Sequence, residues 1–153
     1  CLKEARFGIA WGAIGAALAV AEHALQYAGE RVQFGGRPIS SHQLVQDKLV
    51  FMVTEIAKAQ LLLWHLSKLK DGGKLHFRHV SLAKRNNVWM ARKCARLARE
   101  ILGAAGIVDD HPVIRHMLNL ESVFTYEGTH EMHGLIVGEQ LTGVSAVNPP
   151  SRE

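Results

Sequence analysis

The segment Tyr126-Glu127-Gly128-Thr129-His130-Glu131 puts a carboxylate beside a glycine where a helical pattern begins. Backbone N–H groups at a helix start lack intrahelical acceptors, and that end of the helix dipole is positive. Such an end suits an anionic or electron-accepting partner. Burial beside apolar groups would suit such a carboxylate to act as a general base. The same residues equally describe a glutamate that favours a helix N-terminus for its charge alone, and residue type does not separate the two.

A second segment, Arg31-Val32-Gln33-Phe34-Gly35-Gly36-Arg37-Pro38, combines two guanidinium groups, two glycines and an aromatic ring. Guanidinium binds phosphate in a bidentate manner. Glycine lets a ligand approach the backbone, and Phe34 offers a flat face to a ring. A plain helix–helix turn with two solvated arginines has the same composition. The third segment, Leu102-Gly103-Ala104-Ala105-Gly106, fits a backbone loop beside a ligand and also an ordinary helix end. Nine histidines invite a metal reading. Glu127-x-x-His130 has the spacing of one half of a di-iron site, but no second pair exists in the chain. His130-x-x-His133 lacks the further ligands that zinc needs. No metal site is expected. Gly12-x-x-Gly15 follows no strand and is no dinucleotide fingerprint.

These segments need elements to hold them. Glycine and proline divide the chain into long helical stretches. The first is expected over Leu2 to Glu30, with Gly8, Gly12 and Ala16 forming a small-residue stripe against a neighbouring helix. The second runs from about Ser41 to Lys70, on the period of Leu44, Val45, Leu49, Met52, Ile56, Leu63 and Leu66. The third runs from Leu75 to Leu102, with Gly103 placed to stop it. A short fourth starts at Pro112, a residue suited to a first turn, and ends near Phe124. The last runs from near Gly128 to Leu141. No period-2 alternation of useful length occurs, so no strand is expected. The fold class is all-α, an antiparallel up-and-down bundle of four main helices and a short one. It is expected over 1–147, with a mobile tail at 148–153. Trp11, Trp64 and Trp89 are expected in the core or at an interface, and His65, His76 and His79 at the surface or satisfied by neighbours.

The chain has 153 residues, 48% hydrophobic and 21% charged, which fits one ordinary globular domain. No uninterrupted apolar run approaches the roughly 20 residues of a membrane span, so no integral membrane segment is expected. Cys1 and Cys94 form no disulfide framework and fit a reducing compartment. The net charge of +4 fits a solvated basic surface or, as the sharper alternative, attraction of a phosphate-bearing partner; Lys and Arg are scattered without aromatic interleaving, so nucleic acid is not expected.

Taken in order, the segments resemble the acyl-CoA dehydrogenase family, in particular its glutaryl-CoA-oxidising branch. The residues that carry the likeness are Ala5-Arg6-Phe7-Gly8-Ile9-Ala10-Trp11-Gly12, Arg31-x-Gln33-Phe34-Gly35 with Pro38, and His42-Gln43-Leu44. Further along they are Lys84-Arg85-Asn86-Asn87, Val113-Ile114-Arg115-His116, Asn119-Leu120-Glu121 and Thr125-Tyr126-Glu127-Gly128-Thr129-His130. The resemblance implies that an N-terminal helical domain and a middle β domain precede this bundle in a longer protein. It implies FAD as cofactor and Glu127 as the base that takes the α-proton of an acyl-CoA thioester. The Glu127 N–H and a ribityl hydroxyl of FAD would polarise the thioester carbonyl. Arg6, Tyr126 and Gly128 would line the acyl-CoA side, and Thr129, His130 and Glu131 would lie against FAD. Arg31, Gln33, Phe34, His42, Gln43 and Gly103 would hold the cofactor of a neighbouring subunit. A homotetramer and an electron-transfer flavoprotein as electron acceptor are implied too, in the bacterial cytoplasm or the mitochondrial matrix.

Four positions depart from the family pattern. The loop Phe34-Gly35-Gly36-Arg37-Pro38 has one extra residue, Ala104 replaces a glycine, Glu100 replaces a glutamine expected to face the cofactor, and Lys3 replaces an asparagine near the CoA phosphates. The loop changes motivate the competing reading, a non-catalytic helical oligomerisation domain with a degenerate flavin site.

Overall fold

A computed structural model describes residues 2–148. Cys1 and most of the tail expected to be mobile lie outside the described residues. The elements run α1 (Leu2–Glu30), β1 (Val32–Gln33), β2 (Arg37–Pro38), α2 (Gln43–Asp71), α3 (Phe77–Leu102), α4 (Pro112–Thr125) and α5 (His130–Thr142). Short 3-10 turns at Ile39–Ser41 and Gly103–Ile107 precede α2 and follow α3. The all-α bundle expected from periodicity is therefore present, and α3 is its centre, in contact with α1, α2, α4 and α5.

The tightest packing is between α1 and α3, through alanines. Ala10, Ala17 and Ala24 repeat every seven residues on α1 and are fully buried, as are Ala83, Ala91, Ala95 and Ala98 on α3. Small side chains let helix axes approach closely. The expected stripe of Gly8, Gly12 and Ala16 does not make this contact. A methyl group added at Gly8 or Gly12 would meet nothing within 4 Å. The sequence misleads because α1 is apolar nearly all round, with Leu2, Trp11 and Leu25 on its exposed side. Asn87 adds a polar lock, donating from Nδ2 to the Ala10 carbonyl at 3.2 Å in the core.

Several local expectations change. The strand pair was not expected: Val32 pairs with Pro38 and Gln33 with Arg37, antiparallel. Two-residue strands are too short to show alternation, and the hairpin is set by its turn. Phe34, Gly35 and Gly36 all take positive φ, at 51°, 93° and 73°, so the extra residue of this loop is absorbed by a hairpin. His76, expected at the surface or satisfied by neighbours, is satisfied and also caps a helix. Its ring accepts from the Arg78 N–H while the His79 ring accepts from the His76 N–H, a capping box that starts α3 at Phe77. Trp11, Trp64 and Trp89 all lie on the exposed surface of the chain rather than in its core. By length and average hydropathy α1 and α2 resemble membrane spans, yet their buried faces belong to the core shared with α3.

The Gly103–Ile107 turn depends on close approach. A Cβ at Gly106 would stand 2.6 Å from the Arg99 carbonyl oxygen. Gly106→Ala is therefore expected to lower stability by about 1–3 kcal/mol. Gly138→Ala, on a helical position with nothing within 4 Å, is expected to leave it unchanged or raise it by up to about 1 kcal/mol. Denaturant unfolding of the two variants checks the contrast.

Candidate functional site

Glu127 does not sit in the first turn of a helix as expected. Helix α5 begins at His130, with Thr129 as N-cap accepting from the Met132 N–H at 3.3 Å. Glu127 and Gly128 form the reversal between α4 and α5, at φ 56° and 93°. A left-handed conformation is uncommon for glutamate and persists only where surroundings enforce it.

Those surroundings come from three helices. Arg6 of α1 donates from Nε to the Glu127 carbonyl at 2.8 Å. Lys84 of α3, only 2% exposed, donates to the Tyr126 carbonyl and, at 2.6 Å, to that of Gly128. His133 of α5 is buried against Gly128, where an added Cβ would stand 3.1 Å from its Nε2 and 3.3 Å from Arg6 Nη2. Three consecutive carbonyls thus face cations, and the glycine is required by space as well as by φ. The Glu127 side chain is half-buried, and its Oε2 is buried without a hydrogen-bond partner. Beside it, Tyr126 borders a groove of about 250 Å³ between α1 and α4, with Ile9, Gly12, Ala16 and Leu120 on its walls. The α1 glycine stripe therefore opens a groove instead of receiving a helix.

The other candidate residues fall into two groups. His130 stacks on Phe124 with ring centroids 4.7 Å apart, and Arg92 lies 3.9 Å from the centroid of the same ring. The His130 Nδ1 is buried without a partner. Burial and then the nearby Arg85 charge hold this imidazole below the usual histidine range. Glu131 follows in the exposed first turn of α5. The second group lies around the hairpin. Gln33, Phe34, His42 and Gln43 line a cavity of about 460 Å³ whose far wall carries Lys48 and Glu100. The Phe34 ring meets that of His42 edge-on at 6.0 Å, and His42 Nε2 lies 3.3 Å from the Gln33 carbonyl. Arg31 is exposed at the base of the hairpin, where its carbonyl accepts from Ile39 N–H. Gly103, at φ 60°, ends α3 beside the cavity wall. The charge of Glu100 is not left bare: Lys48 lies 2.9 Å away and Arg96 3.7 Å, and the Lys48 hydrogen bond holds its carboxyl below the usual range.

Lys84 and Glu100 are sixteen positions apart on α3, so the two groups of residues sit roughly 24 Å apart along that helix. Sequence reasoning missed Lys84 and His133 as site residues. The available signal was a lysine inside the buried stripe Val80, Ala83, Asn87, Ala91 and Cys94, where a charge needs a partner.

The family model for the acyl-CoA dehydrogenase C-terminal domain matches residues 1–142. This chain belongs to the acyl-CoA dehydrogenase family. An acyl-CoA dehydrogenase of Bacillus subtilis is 39% identical over 93% of the chain. A crystal structure of glutaryl-CoA dehydrogenase from Mycobacterium smegmatis superposes with a TM-score of 0.94 at 55% identity, over 97% of the chain. Another from the same organism, in complex with FADH2, gives 0.93 at 45% identity and the same coverage. The chain spans 37% of the Bacillus relative and 38% of each Mycobacterium chain.

In this acyl-CoA dehydrogenase domain His133 is 1% exposed. Desolvation first, then the Lys84 and Arg6 charges, push its imidazole down to about 4 from 6.5. The folded value lies below the unfolded one, so between them the unfolded chain holds the extra proton. Stability from this group is full above pH 6.5 and lost as pH falls through about 4. The expected loss from neutral pH to about pH 4 is about 2–3 kcal/mol. Urea unfolding across that range should show a shallower acid loss in His133→Gln; equal slopes in the two proteins would refute this role.

Proposed function

We propose that the protein containing this domain oxidises the α,β carbon–carbon bond of an acyl-CoA thioester, with Glu127 as the base. The observation that carries this reading is the buried, unpartnered Glu127 Oε2 in an enforced left-handed turn beside an apolar groove. With no hydrogen-bond donor on it, this carboxylate oxygen has its lone pairs free to meet a substrate C–H, the geometry a general base requires. The groove suits an acyl chain, being concave and walled by small and apolar side chains.

The residues fit FAD. Phe34, 80% exposed at the cavity mouth, offers a ring face, and Gln33, His42 and Gln43 offer polar contacts beside Lys48. Thr129, His130 and Glu131 would meet the cofactor at the other end, where the His130 Nδ1 has no partner within the chain. When bound, FAD supplies the acceptor for the β-hydrogen as hydride. The separation of roughly 24 Å along α3 supports the hairpin residues serving the cofactor of a neighbouring subunit. Arg6 would serve both the CoA side and the 126–128 turn. Glutaryl-CoA as substrate, with decarboxylation to crotonyl-CoA, is supported by the likeness to the Mycobacterium enzymes. A homotetramer is the assembly the family resemblance implies, and an apolar groove between α1 and α2, lined by Leu18, Leu25, Leu49, Val53 and Ile56, is a surface that another subunit would cover. An electron-transfer flavoprotein would carry electrons onward.

Two outcomes are expected. Glu127→Gln in the full-length protein should keep FAD yet slow flavin bleaching by glutaryl-CoA about 10²–10⁴-fold; bleaching at the parent rate would remove Glu127 from the mechanism. The 153-residue chain alone should purify colourless and reduce no acceptor with glutaryl-CoA, because the described residues include no β domain to cover a flavin. Yellow, active protein would overturn that.

A further inference from the structure

We propose that Lys84 is a positioning residue: by holding the Tyr126 and Gly128 carbonyls it aims and polarises the Glu127 N–H as the donor to the thioester carbonyl. This rests on Glu127 being the base.

Lys84 lies two turns into α3, on its buried face, 2% exposed. An apolar side chain would serve packing there without the cost of desolvating a charge. The ammonium's hydrogen-bond partners are carbonyl oxygens, those of Tyr126 and Gly128, and not carboxylates. Burial lowers the group to about 8, so at neutral pH it remains mostly cationic.

The consequence follows from peptide geometry. No peptide bond among the described residues is cis, and in a planar trans peptide the C=O and N–H point in opposite directions. The Tyr126 carbonyl and the Glu127 N–H belong to one peptide unit. Fixing that oxygen on the α3 side directs the N–H away from α3. Arg6 fixes the next carbonyl, that of Glu127, and Lys84 the third. Among the described residues no hydrogen-bond acceptor takes the Glu127 N–H, whereas the preceding N–H of Tyr126 closes α4 on the Ser122 carbonyl at 2.9 Å. A cation at the oxygen end of a peptide strengthens the donor at its nitrogen end. As the α-proton passes to Glu127, the C–H electron pair shifts toward the thioester carbonyl, and negative charge gathers on its oxygen. A preorganised N–H there stabilises that charge with no reorganisation. Lys84 exchanges no proton; it acts through the peptide.

The test uses the FAD-loaded full-length enzyme and an acyl-CoA labelled with ¹³C at the thioester carbonyl. In the Glu127→Gln background the α-proton stays in place, and the infrared stretch of the bound carbonyl reads its polarisation directly. The stretch is expected to fall on binding to Glu127→Gln, and at least half of that fall to disappear when Lys84→Met is added. With Glu127 intact, Lys84→Met should lower kcat about 10- to 100-fold and change KM less than about threefold. A stretch that stays fully displaced in the double variant overturns the proposal, whatever happens to the rate, since loss of stability alone does not restore a carbonyl frequency. Should Lys84→Met fail to load FAD, Lys84→Arg displaces the carbonyl oxygens while keeping charge and donors. A stretch and a kcat that move together support the proposal, and a reduced kcat with an unmoved stretch overturns it. Failure of the underlying reading looks different: Glu127→Gln alone would then turn over like the parent.

Discussion

A buried ammonium needs partners, and around Lys84 they are the main-chain oxygens of one short turn. The side chain is charged and almost wholly out of water. Its desolvation is offset by the carbonyls of Tyr126 and Gly128 and by the Tyr126 ring, whose centroid lies 5.6 Å away. This binds the α4–α5 reversal to the central helix. Helix α5 makes its main contacts with α3, so the turn and the helix after it share one foundation. The left-handed Glu127 backbone is held by the same contacts, with Arg6 pulling on its carbonyl from α1.

The order of that foundation matters for chemistry. α1 and α3 are bound through alanines and the Asn87 lock, and so Arg6 and Lys84 reach the turn from two rigid helices whose spacing is set by methyl groups. Rigid support is what allows a carboxylate to stay desolvated without a partner. At the far end of α3 the requirements differ. The hairpin and α2 enclose a largely apolar cavity with an exposed aromatic ring, and the Lys48–Glu100 ion pair supplies charge on its wall. A single central helix thus carries a buried-charge site at one end and an open cradle at the other.

Much of the helical plan was legible in the sequence. Gly103, Pro112 and the proline-free, Ala-rich opening marked real boundaries because they act on local backbone geometry. The α1 packing face was not legible, since nearly every face of that helix is apolar and only the neighbour decides which one is covered. The hairpin was missed because two-residue strands carry no alternation, and its shape comes from three consecutive positive φ angles. In the candidate site, Glu127 could be singled out from its motif, but the expectation that it sits at the helix N-terminus did not hold. Thr129 wins the cap because its hydroxyl reaches the Met132 N–H, leaving Glu127 outside the helix.

The sequence by itself determined which residues could do chemistry and which stretches are helical, because propensity, capping and periodicity are local properties. Tertiary structure alone decided that Arg6, Lys84 and His133 converge on one turn, although no two of them are closer than 49 residues in the chain. It also decided that Glu127 Oε2 is left without a partner. Burial and unpaired hydrogen-bonding capacity belong to the packed assembly of α1, α3 and α5, and no single segment contains them.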